Sequence, residues 1–380
     1  MGITLVSFFA VLIVLILAHE LGHFVTAKLS GVKVEEFGIF MPPRIISFKA
    51  GETWTFTIFQ KSYHVKPPRF FRSKGGETVY SLNAIPLGGF NKLSGEEDPK
   101  AERSLAGKSI PVRLLVLGAG SLMNLLLPLL LLAIAFMVPH QVEIADPLAG
   151  DGNVLVQVVS TDSPAAQAGI KAGDIIVSIN GIAISNVNGY KQQVEANLGK
   201  QITVVVKHSG NRMETVHLTP RAQVTAGQGA TGVALTAVVT ESASFWRAIP
   251  DGFIRYGDIL ALFVDGIRQT VQGTVPFEVT GPVGIAQVVG EVARTGISNL
   301  LQLAAIISIN LGIVNLFPIP GLDGGRIVFV LLEWVRRGKR VSPQTERLVH
   351  AIGFILLMAL ILLVTYRDIV RLISGQNPLG

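Results

Sequence analysis

Apolar residues dominate four stretches of this sequence, and each stretch is long enough to cross a lipid bilayer as a helix. The stretches cover approximately residues 3–26, 111–138, 297–317 and 347–365. Because about 20 apolar residues in helical form span the hydrocarbon core of a bilayer, the pattern predicts four transmembrane helices. The fold class that follows is an α-helical polytopic membrane protein.

Shorter alternating patterns predict β-structure between the first two spans. Residues 53–59 and 79–85 alternate in part between apolar and polar side chains, as strands do. The second run leads into Pro86-Leu87-Gly88-Gly89-Phe90, where proline and paired glycines indicate a turn. We therefore expect a small membrane-associated hairpin or sheet within residues 27–110. An ordinary cytoplasmic hairpin is the alternative.

Residues 150–220 have the pattern of a separate α/β domain. A strand pattern at 154–159 precedes Ser163-Pro164-Ala165-Ala166, which combines a serine cap with a proline in the first helical turn. Asn180-Gly181 is a hairpin signal. The order of elements resembles a PDZ domain, a class that binds extended peptides or free C-termini by strand addition. The alternative is a structural domain without a tight ligand.

Residues 243–272 mix apolar and charged positions, which favours an amphipathic helix at the membrane interface. Pro250 and Gly252 weaken the first part of this pattern, and a helix that only packs against its neighbours is the alternative. Residues 276–296 are predicted to form a turn-rich approach to the third span. Together, residues 243–296 are expected to form a juxtamembrane region.

The composition agrees with a membrane protein and narrows the chemistry. Of the 380 residues, 49% are hydrophobic and 15% are charged. The absence of cysteine excludes disulfides, thiol catalysis and cysteine metal ligands. A net charge of +6 is compatible with nucleic-acid binding, but the basic residues cluster beside the apolar runs, as they do in membrane proteins. The expected partner is the lipid bilayer and not nucleic acid.

The distribution of basic residues predicts the orientation of the chain. Residues 27–113 carry 14 Lys and Arg residues and residues 326–347 carry 6, whereas residues 139–296 carry 10 in 158 positions and the tail 366–380 carries 2. Because cytoplasmic loops are enriched in basic residues, the first two segments are expected in the cytoplasm. The PDZ-like domain and both termini are then expected outside.

The sequence His19-Glu20-Leu21-Gly22-His23 lies within the first predicted span. In a helix, residues i and i+4 leave from one face, so both imidazoles can bind a single zinc ion. Glu20 is placed to take a proton from a water at that metal. Each ionisable group deep in a span costs ~2.5 kcal/mol or more, so this cluster is expected to have a function. The alternative is a water-facing end of the span.

A further ligand is expected because catalytic zinc usually takes three ligands from the protein. The third span ends in Asn315-Leu316-Phe317-Pro318-Ile319-Pro320-Gly321-Leu322-Asp323-Gly324-Gly325. The prolines and glycines are expected to break the helix. Asp323 is the carboxylate of this segment. The first and third spans run in the same direction, so both motifs reach the same side of the bilayer. The alternative treats Asp323 as a turn residue at the membrane surface.

Together these motifs resemble the site-2 protease family of intramembrane zinc metalloproteases, and within it the bacterial regulator of sigma-E protease group. The resemblance covers nearly the whole chain. It implies that His19, His23 and Asp323 bind one Zn²⁺ per chain and that Glu20 is the general base. It also implies that Asn315 contacts the substrate or the developing oxyanion.

The same resemblance implies that the turn with Gly88 and Gly89 presents the substrate as a strand. Well-known members of the group carry two tandem PDZ domains, whereas this sequence shows one. The implied substrates are single-span membrane proteins, such as an anti-sigma factor or remnant signal peptides, after cleavage by an upstream site-1-type protease. The implied location is the bacterial inner (plasma) membrane, with the active site toward the cytoplasm.

The predicted organisation is residues 1–138 with the first two spans, 150–220 as the PDZ-like domain, 243–296 as the juxtamembrane region, and 297–380 with the last two spans. An inactive membrane scaffold that binds peptides through its PDZ-like domain is the alternative function. An inactive scaffold would be expected to lack Glu20 or a metal ligand, and this sequence retains all of them. A transporter is a weaker alternative, since the sequence shows no inverted repeat.

Overall fold

The structure, a computed structural model, describes residues 2–50, 53–59, 61–66, 77–96, 98–144, 146, 148, 150–208, 212–223, 229–274 and 280–374. Residues 276–279 of the predicted approach to the third span lie outside the described residues. The chain divides into two compact units. The first comprises Met1–Leu131, Arg255–Gly290 and Gln302–Gly380, and the second comprises Leu132–Ile254 and Glu291–Leu301.

Long apolar helices dominate the described residues. In chain order the helices are α1 (Gly2–Leu29), α2 (Ile110–Met137), α3 (Pro164–Gln167), α4 (Val187–Glu195), α5 (Phe245–Val271), α6 (Pro282–Thr295), α7 (Ile297–Leu316), α8 (Asp323–Val335) and α9 (Pro343–Ile373). Helices α1, α2, α7 and α9 have the length and hydropathy of membrane spans. The prediction of four such helices is confirmed. Helix α9 is longer than the predicted fourth span because polar residues at both ends continue the helix.

The helices between the second and third spans differ in part from the prediction. Helix α5 is continuous through Pro250 and Gly252, in agreement with the predicted helix at 243–272. The predicted turn-rich approach is wrong in its described part, because Pro282–Thr295 forms helix α6. Proline is tolerated in a first helical turn, where an N–H has no intrahelical partner. The carboxylate of Asp368 accepts a hydrogen bond from the Gly284 N–H (2.8 Å) and so caps this helix.

The first unit contains a four-stranded sheet. Its strands are β1 (Val34–Lys49), β2 (Trp54–Ile58), β3 (Lys61–Val65) and β4 (Val79–Leu93), in the order β3-β2-β1-β4. Both strands expected from the alternating pattern are present. The sequence does not predict β1, because Gly38 and Pro42-Pro43 interrupt its alternation with residues that disfavour strands.

Strand β4 includes the segment predicted as a turn, and its two halves run in opposite directions. The pairs with residues 36–39 of β1 rise from 79 to 82 and fall from 92 to 89, so the chain reverses between Leu82 and Gly89, where Gly88 has a φ of +70°. Residues 36–39 of β1 pair with residues 79–82 and also with residues 89–92 of β4. Residues 89–93 therefore form an edge of the sheet.

The second unit contains a mixed α/β fold around one sheet. The strands are β5 (His140–Glu143), β6 (Asn153–Val159), β7 (Ile175–Ile179), β8 (Ile182–Ala183), β9 (Ile202–Lys207), β10 (Met213–Leu218) and β11 (Val233–Glu241). Their order is β10-β9-β7-β6-β11-β5, with β8 beside β7. The strands and helices predicted between residues 150 and 220 are present. The sheet also includes β5 and β11, which lie outside that range.

Local sequence signals and a small apolar core explain this domain. The Ser163 side chain accepts a hydrogen bond from the Ala166 N–H and caps α3. Val154, Ile176 and Val204 are at most 1% exposed, and full burial of such a side chain stabilises a fold by ~1.5–3 kcal/mol. The hydroxyl of Tyr190 donates to Thr231 Oγ1 (2.9 Å). Burial raises the pKa of Tyr190 to about 12, so this donor stays protonated at neutral pH.

Candidate metal centre

Three side chains from distant parts of the sequence converge in the first unit. The Nε2 atoms of His19 and His23 are 3.2 Å apart, and each is 3.2 Å from Oδ2 of Asp323. A tetrahedral zinc ion with bonds of about 2.0–2.1 Å keeps its ligands about 3.3 Å apart. The triangle therefore has the dimensions and the nitrogen and oxygen donors that suit zinc. Within the described residues, no other group of three or more His, Asp or Glu side chains brings its ligand atoms this close together.

Asp323 reaches the histidines because the chain turns back after α7. It is the first residue of α8, so it begins a helix and does not remain in a broken segment, as the sequence suggests. A Cβ at Gly324 would overlap the main-chain oxygens of Phe317 and Leu316. Glycine is therefore required for α8 to start against the end of α7. A carboxylate in the first helical turn is also favoured by the helix dipole.

Helix α2 packs closely beneath the two imidazoles. A Cβ at Gly22 would overlap the main-chain oxygen of Ala119, and one at Gly120 would overlap Nε2 of His23. Larger residues at either position would separate α1 from α2. Ser121 adds a polar contact, since its hydroxyl donates to Oδ2 of Asp323 at 3.4 Å.

The ring nitrogens on the far side of the cluster have partners on α2. Nδ1 of His23 donates to the main-chain oxygen of Val116 (2.8 Å), which leaves the Nε2 lone pair directed at the cluster. Nδ1 of His19 lies 3.4 Å from the side-chain amide of Asn124. The buried Oδ1 of Asn124 has no hydrogen-bond partner, and a 180° rotation of the amide lets it accept the Nδ1 proton. Such partners orient metal-binding histidines.

Glu20 lies between the cluster and strand β4. The Asn91 side chain donates to Oε2 of Glu20 (2.6 Å) and to its main-chain oxygen (2.8 Å). A Cβ at Gly89 would lie 2.8 Å from Cγ of Glu20, so glycine is needed for this approach. Gly88, the neighbouring residue, is exposed. The predicted base and the predicted substrate strand are thus adjacent in space.

Within the part of the chain that the structure describes, Asn315 makes no hydrogen bond to His19, His23 or Asp323. It lies in the last turn of α7 and is half-buried. His350 accepts a hydrogen bond through Nδ1 from the Gly321 N–H (3.1 Å). It therefore links α9 to the turn that leads to Asp323.

Sequence reasoning misses Asn91 and Asn124. Asn124 carries a detectable signal, because a polar amide within a leucine-rich span is costly unless it has a partner. Asn91 carries none, since an asparagine in a loop-rich, polar region is common. Only the pairing of β4 with β1 places Asn91 against α1.

Comparisons with known proteins identify a family of peptidases. A model of peptidase family M50 matches residues 7–61 and 60–360. A protein of Clostridium acetobutylicum, described as a candidate zinc metalloprotease, is 34% identical over 96% of this chain and 98% of its own length. The regulator of sigma-W protease RasP of Bacillus subtilis is 29% identical over 97% of this chain and 99% of its own length.

A solved PDZ domain of an SdrC-like protein from Listeria monocytogenes is 28% identical, covers 23% of this chain and is itself covered to 90%, with a TM-score of 0.20. Two histidines and a glutamate on a helix of membrane-spanning length, with an aspartate at the start of α8 beside them, are the groups of a metal-dependent hydrolase of the membrane. The family model spans most of the sequence, and the chain belongs to peptidase family M50.

Proposed function

We propose that this chain is an intramembrane endopeptidase that cuts membrane proteins within or beside their transmembrane segments. It is a zinc metallopeptidase, since it belongs to peptidase family M50 and relatives are named as zinc metalloproteases. The observation that carries the proposal is the triangle of His19, His23 and Asp323. Two of these residues and the adjacent Glu20 lie on α1, a helix apolar enough to span a bilayer.

The roles of the residues follow from their chemistry. His19, His23 and Asp323 would hold one zinc ion per chain. Bound zinc supplies Lewis-acid chemistry, which lowers the pKa of a water and polarises a scissile carbonyl. The Glu20 carboxylate takes the proton of the attacking water and delivers it to the leaving amine. Asn124 keeps the His19 ring in the orientation that zinc binding requires.

We propose that the substrate binds along strand β4. Residues 89–93 form an edge of the sheet beside Glu20, and an extended segment can add to such an edge by main-chain hydrogen bonds. A transmembrane helix satisfies its amides internally, so it must unwind before it adds. Gly88 and Gly89 are therefore proposed to contact the substrate backbone. Asn315 is proposed as a polar contact to the substrate or the oxyanion.

The substrates that fit this arrangement are single-span membrane proteins. An anti-sigma factor and remnant signal peptides are both suitable, and the name of the B. subtilis relative connects that protein to sigma-W regulation. We propose the bacterial plasma membrane as the location and regulated intramembrane proteolysis as the role. The metal centre would face the cytoplasm, because the flanking segments 27–113 and 326–347 hold 14 and 6 of the basic residues.

The PDZ-like domain is proposed to lie outside and to admit substrates already shortened by a site-1-type protease. Strand β5 pairs with residues 238–241 of β11 and covers that part of an edge along which a peptide would otherwise add. A gating role therefore fits this domain better than the alternative of a scaffold that binds peptides.

The proposal is tested by cleavage of a single-span substrate with the purified full chain and with Glu20→Gln. Loss of the general base is expected to slow cleavage by about 10²–10⁴-fold, with zinc near one per chain in both proteins. Glu195→Gln, an exposed position at the end of α4, is the matched control and should cleave as the wild type does. Cleavage by Glu20→Gln at the wild-type rate, or folded protein without zinc, would overturn the proposal.

A further inference from the structure

The side chain of Asn91 contacts Glu20 at two points. Its Nδ2 lies 2.6 Å from Oε2 and 2.8 Å from the main-chain oxygen of the same glutamate. A primary amide carries two hydrogens on one nitrogen, so both contacts can be hydrogen bonds at once. One side chain of β4 therefore fixes the carboxylate relative to the backbone of α1.

The orientation of the Asn91 amide is determined by its surroundings. The opposite orientation would place Oδ1 against Oε2 and the main-chain oxygen of Glu20, which are both acceptors. In the orientation that the structure shows, Oδ1 of Asn91 is buried and accepts no hydrogen bond. Because an unpaired buried acceptor is costly, the two bonds to Glu20 must outweigh this loss.

The strand pattern explains why these residues meet. Gly89 and Asn91 are two positions apart, so they face the same side of β4. Gly89 leaves room for Cγ of Glu20, which would be 2.8 Å from any Cβ there, and Asn91 supplies the donor. The bond occupies Oε2, which leaves Oε1 to accept a proton.

We propose that Asn91 is a positioning residue that holds the Glu20 carboxylate in the orientation needed for proton transfer. It also couples the base to β4, so that a substrate added to this strand meets Glu20 in a fixed register. This inference rests on the proposed role of Glu20 as the general base. Asn91 acts through Glu20 and does not itself take part in the reaction.

The kinetic test compares Asn91→Ala and Asn91→Asp with the wild type. Asn91→Ala removes the hydrogen bonds that fix the Glu20 carboxylate, so it should lower kcat about tenfold to 100-fold. KM is expected to stay within about twofold, since Glu20 acts on the reaction and not on ground-state binding. Asn91→Asp should lose more, because it places a second carboxylate beside the first.

A spectroscopic test does not depend on activity. The carboxylate infrared band of Glu20 is obtained in metal-free protein as the difference between the wild type and Glu20→Gln. The same difference is taken in the Asn91→Ala background. Loss of the hydrogen bond should shift this band, and an unchanged band would overturn the inference.

Asn83→Ala controls for damage to the sheet. The Asn83 side chain lies on the same strand and donates to the main-chain oxygens of Ile39 and Phe40, away from Glu20. We expect Asn83→Ala to lower thermal stability at least as much as Asn91→Ala does and to change kcat by less than about twofold. Equal losses of kcat in the two variants would reduce Asn91 to a structural residue.

The two proposals fail in different ways. If Glu20→Gln still cleaves, the assignment of the base is wrong and the role of Asn91 falls with it. If Glu20→Gln is inactive while Asn91→Ala keeps the wild-type kcat and an unshifted band, the inference about Asn91 alone is wrong.

Discussion

At the residue scale, the centre relies on buried amides as well as on ionisable groups. Asn91 contacts Glu20 and Asn124 contacts His19. An amide orients a neighbouring charge or ring without adding another charge, and each added charge in a membrane span is costly. Asn124 is fully buried, and its main-chain oxygen also accepts from the Ser308 hydroxyl (2.7 Å). Its side chain therefore joins α2 to α1, and its main chain joins α2 to α7.

Replacing Asn124 with leucine should weaken zinc binding. The substitution removes the partner of Nδ1 of His19 and puts an apolar side chain with the same branch point in its place. Loss of such a partner typically costs 10–100-fold in metal affinity, so we expect a drop of about that size. Competition with a chelator measures it. Leu122→Ala, at a side chain that is 48% exposed on the same helix, should keep the wild-type affinity. Equal affinities in all three proteins would contradict the role of Asn124.

At the element scale, α8 is anchored at both ends. It begins with Asp323, and near its other end Glu333 accepts hydrogen bonds from Arg113 (2.6 Å) and Arg340 (3.1 Å). The Glu333 side chain is only 8% exposed. Burial by itself would raise the pKa of Glu333, but hydrogen bonds from the two arginines outweigh it and lower the pKa. The ion pairs therefore hold the helix that presents the third ligand.

Glu333→Gln should destabilise the protein at neutral pH, and the difference should shrink in acid. Removing one partner of a buried pair costs about 3 kcal/mol. Because the pKa of Glu333 is lowered by folding, its contribution is present above the unfolded pKa and is lost as the pH falls through the folded pKa. Thermal unfolding at pH 7 and at about pH 3 measures both effects.

Glu102→Gln is the matched control for this prediction. The Glu102 side chain is 76% exposed and lies 3.5 Å from Lys33, and exposed pairs contribute less than about 1 kcal/mol. A deficit in Glu333→Gln that stays constant from neutral to acidic pH would show that charge is not its cause.

At the whole-molecule scale, the metal centre is built entirely within the first unit, and the PDZ-like domain is a long insertion in the second. The N–H of Ala243 donates to the main-chain oxygen of Phe136 (2.8 Å), so the chain leaves and re-enters the domain at neighbouring points. Because β5 and β11 belong to its sheet, the natural excision is residues 140–241 and not 150–220.

Removal of residues 140–241, with the ends joined by a short glycine and serine linker, should leave a folded peptidase with wild-type zinc content. If the domain excludes uncut substrates, the shortened protein should cleave a full-length substrate that the wild type leaves intact. Gel analysis of both substrates measures this. Removal of 150–220 alone is the contrasting variant. It deletes β6 and leaves β5 and β11 without the rest of their sheet, so it should lower the yield of folded protein. Gating would be contradicted by a well-folded 140–241 deletion that cuts only the shortened substrate.

Much of this protein can be predicted from local patterns. Four apolar stretches specify the candidate spans because a bilayer demands about 20 apolar residues. The spacing of His19 and His23 specifies a pair of ligands because helical periodicity is local. The start of α3 at Ser163 and the hairpin at Asn180-Gly181 likewise depend on residues that are close in the sequence.

The sequence by itself determined the spans, the His-Glu-His face of α1 and most strands of the PDZ-like domain, because each depends on residues close in the chain. The tertiary structure decided what depends on long-range pairing. The folding of β4 around β1 places Asn91 against Glu20, the crossing of α1 and α2 places Asn124 against His19, and β5 and β11 join a sheet whose other strands lie between them in sequence. The turn after α7 makes Asp323 the start of a helix. No local pattern encodes these contacts, since their partners are chosen by packing across many residues.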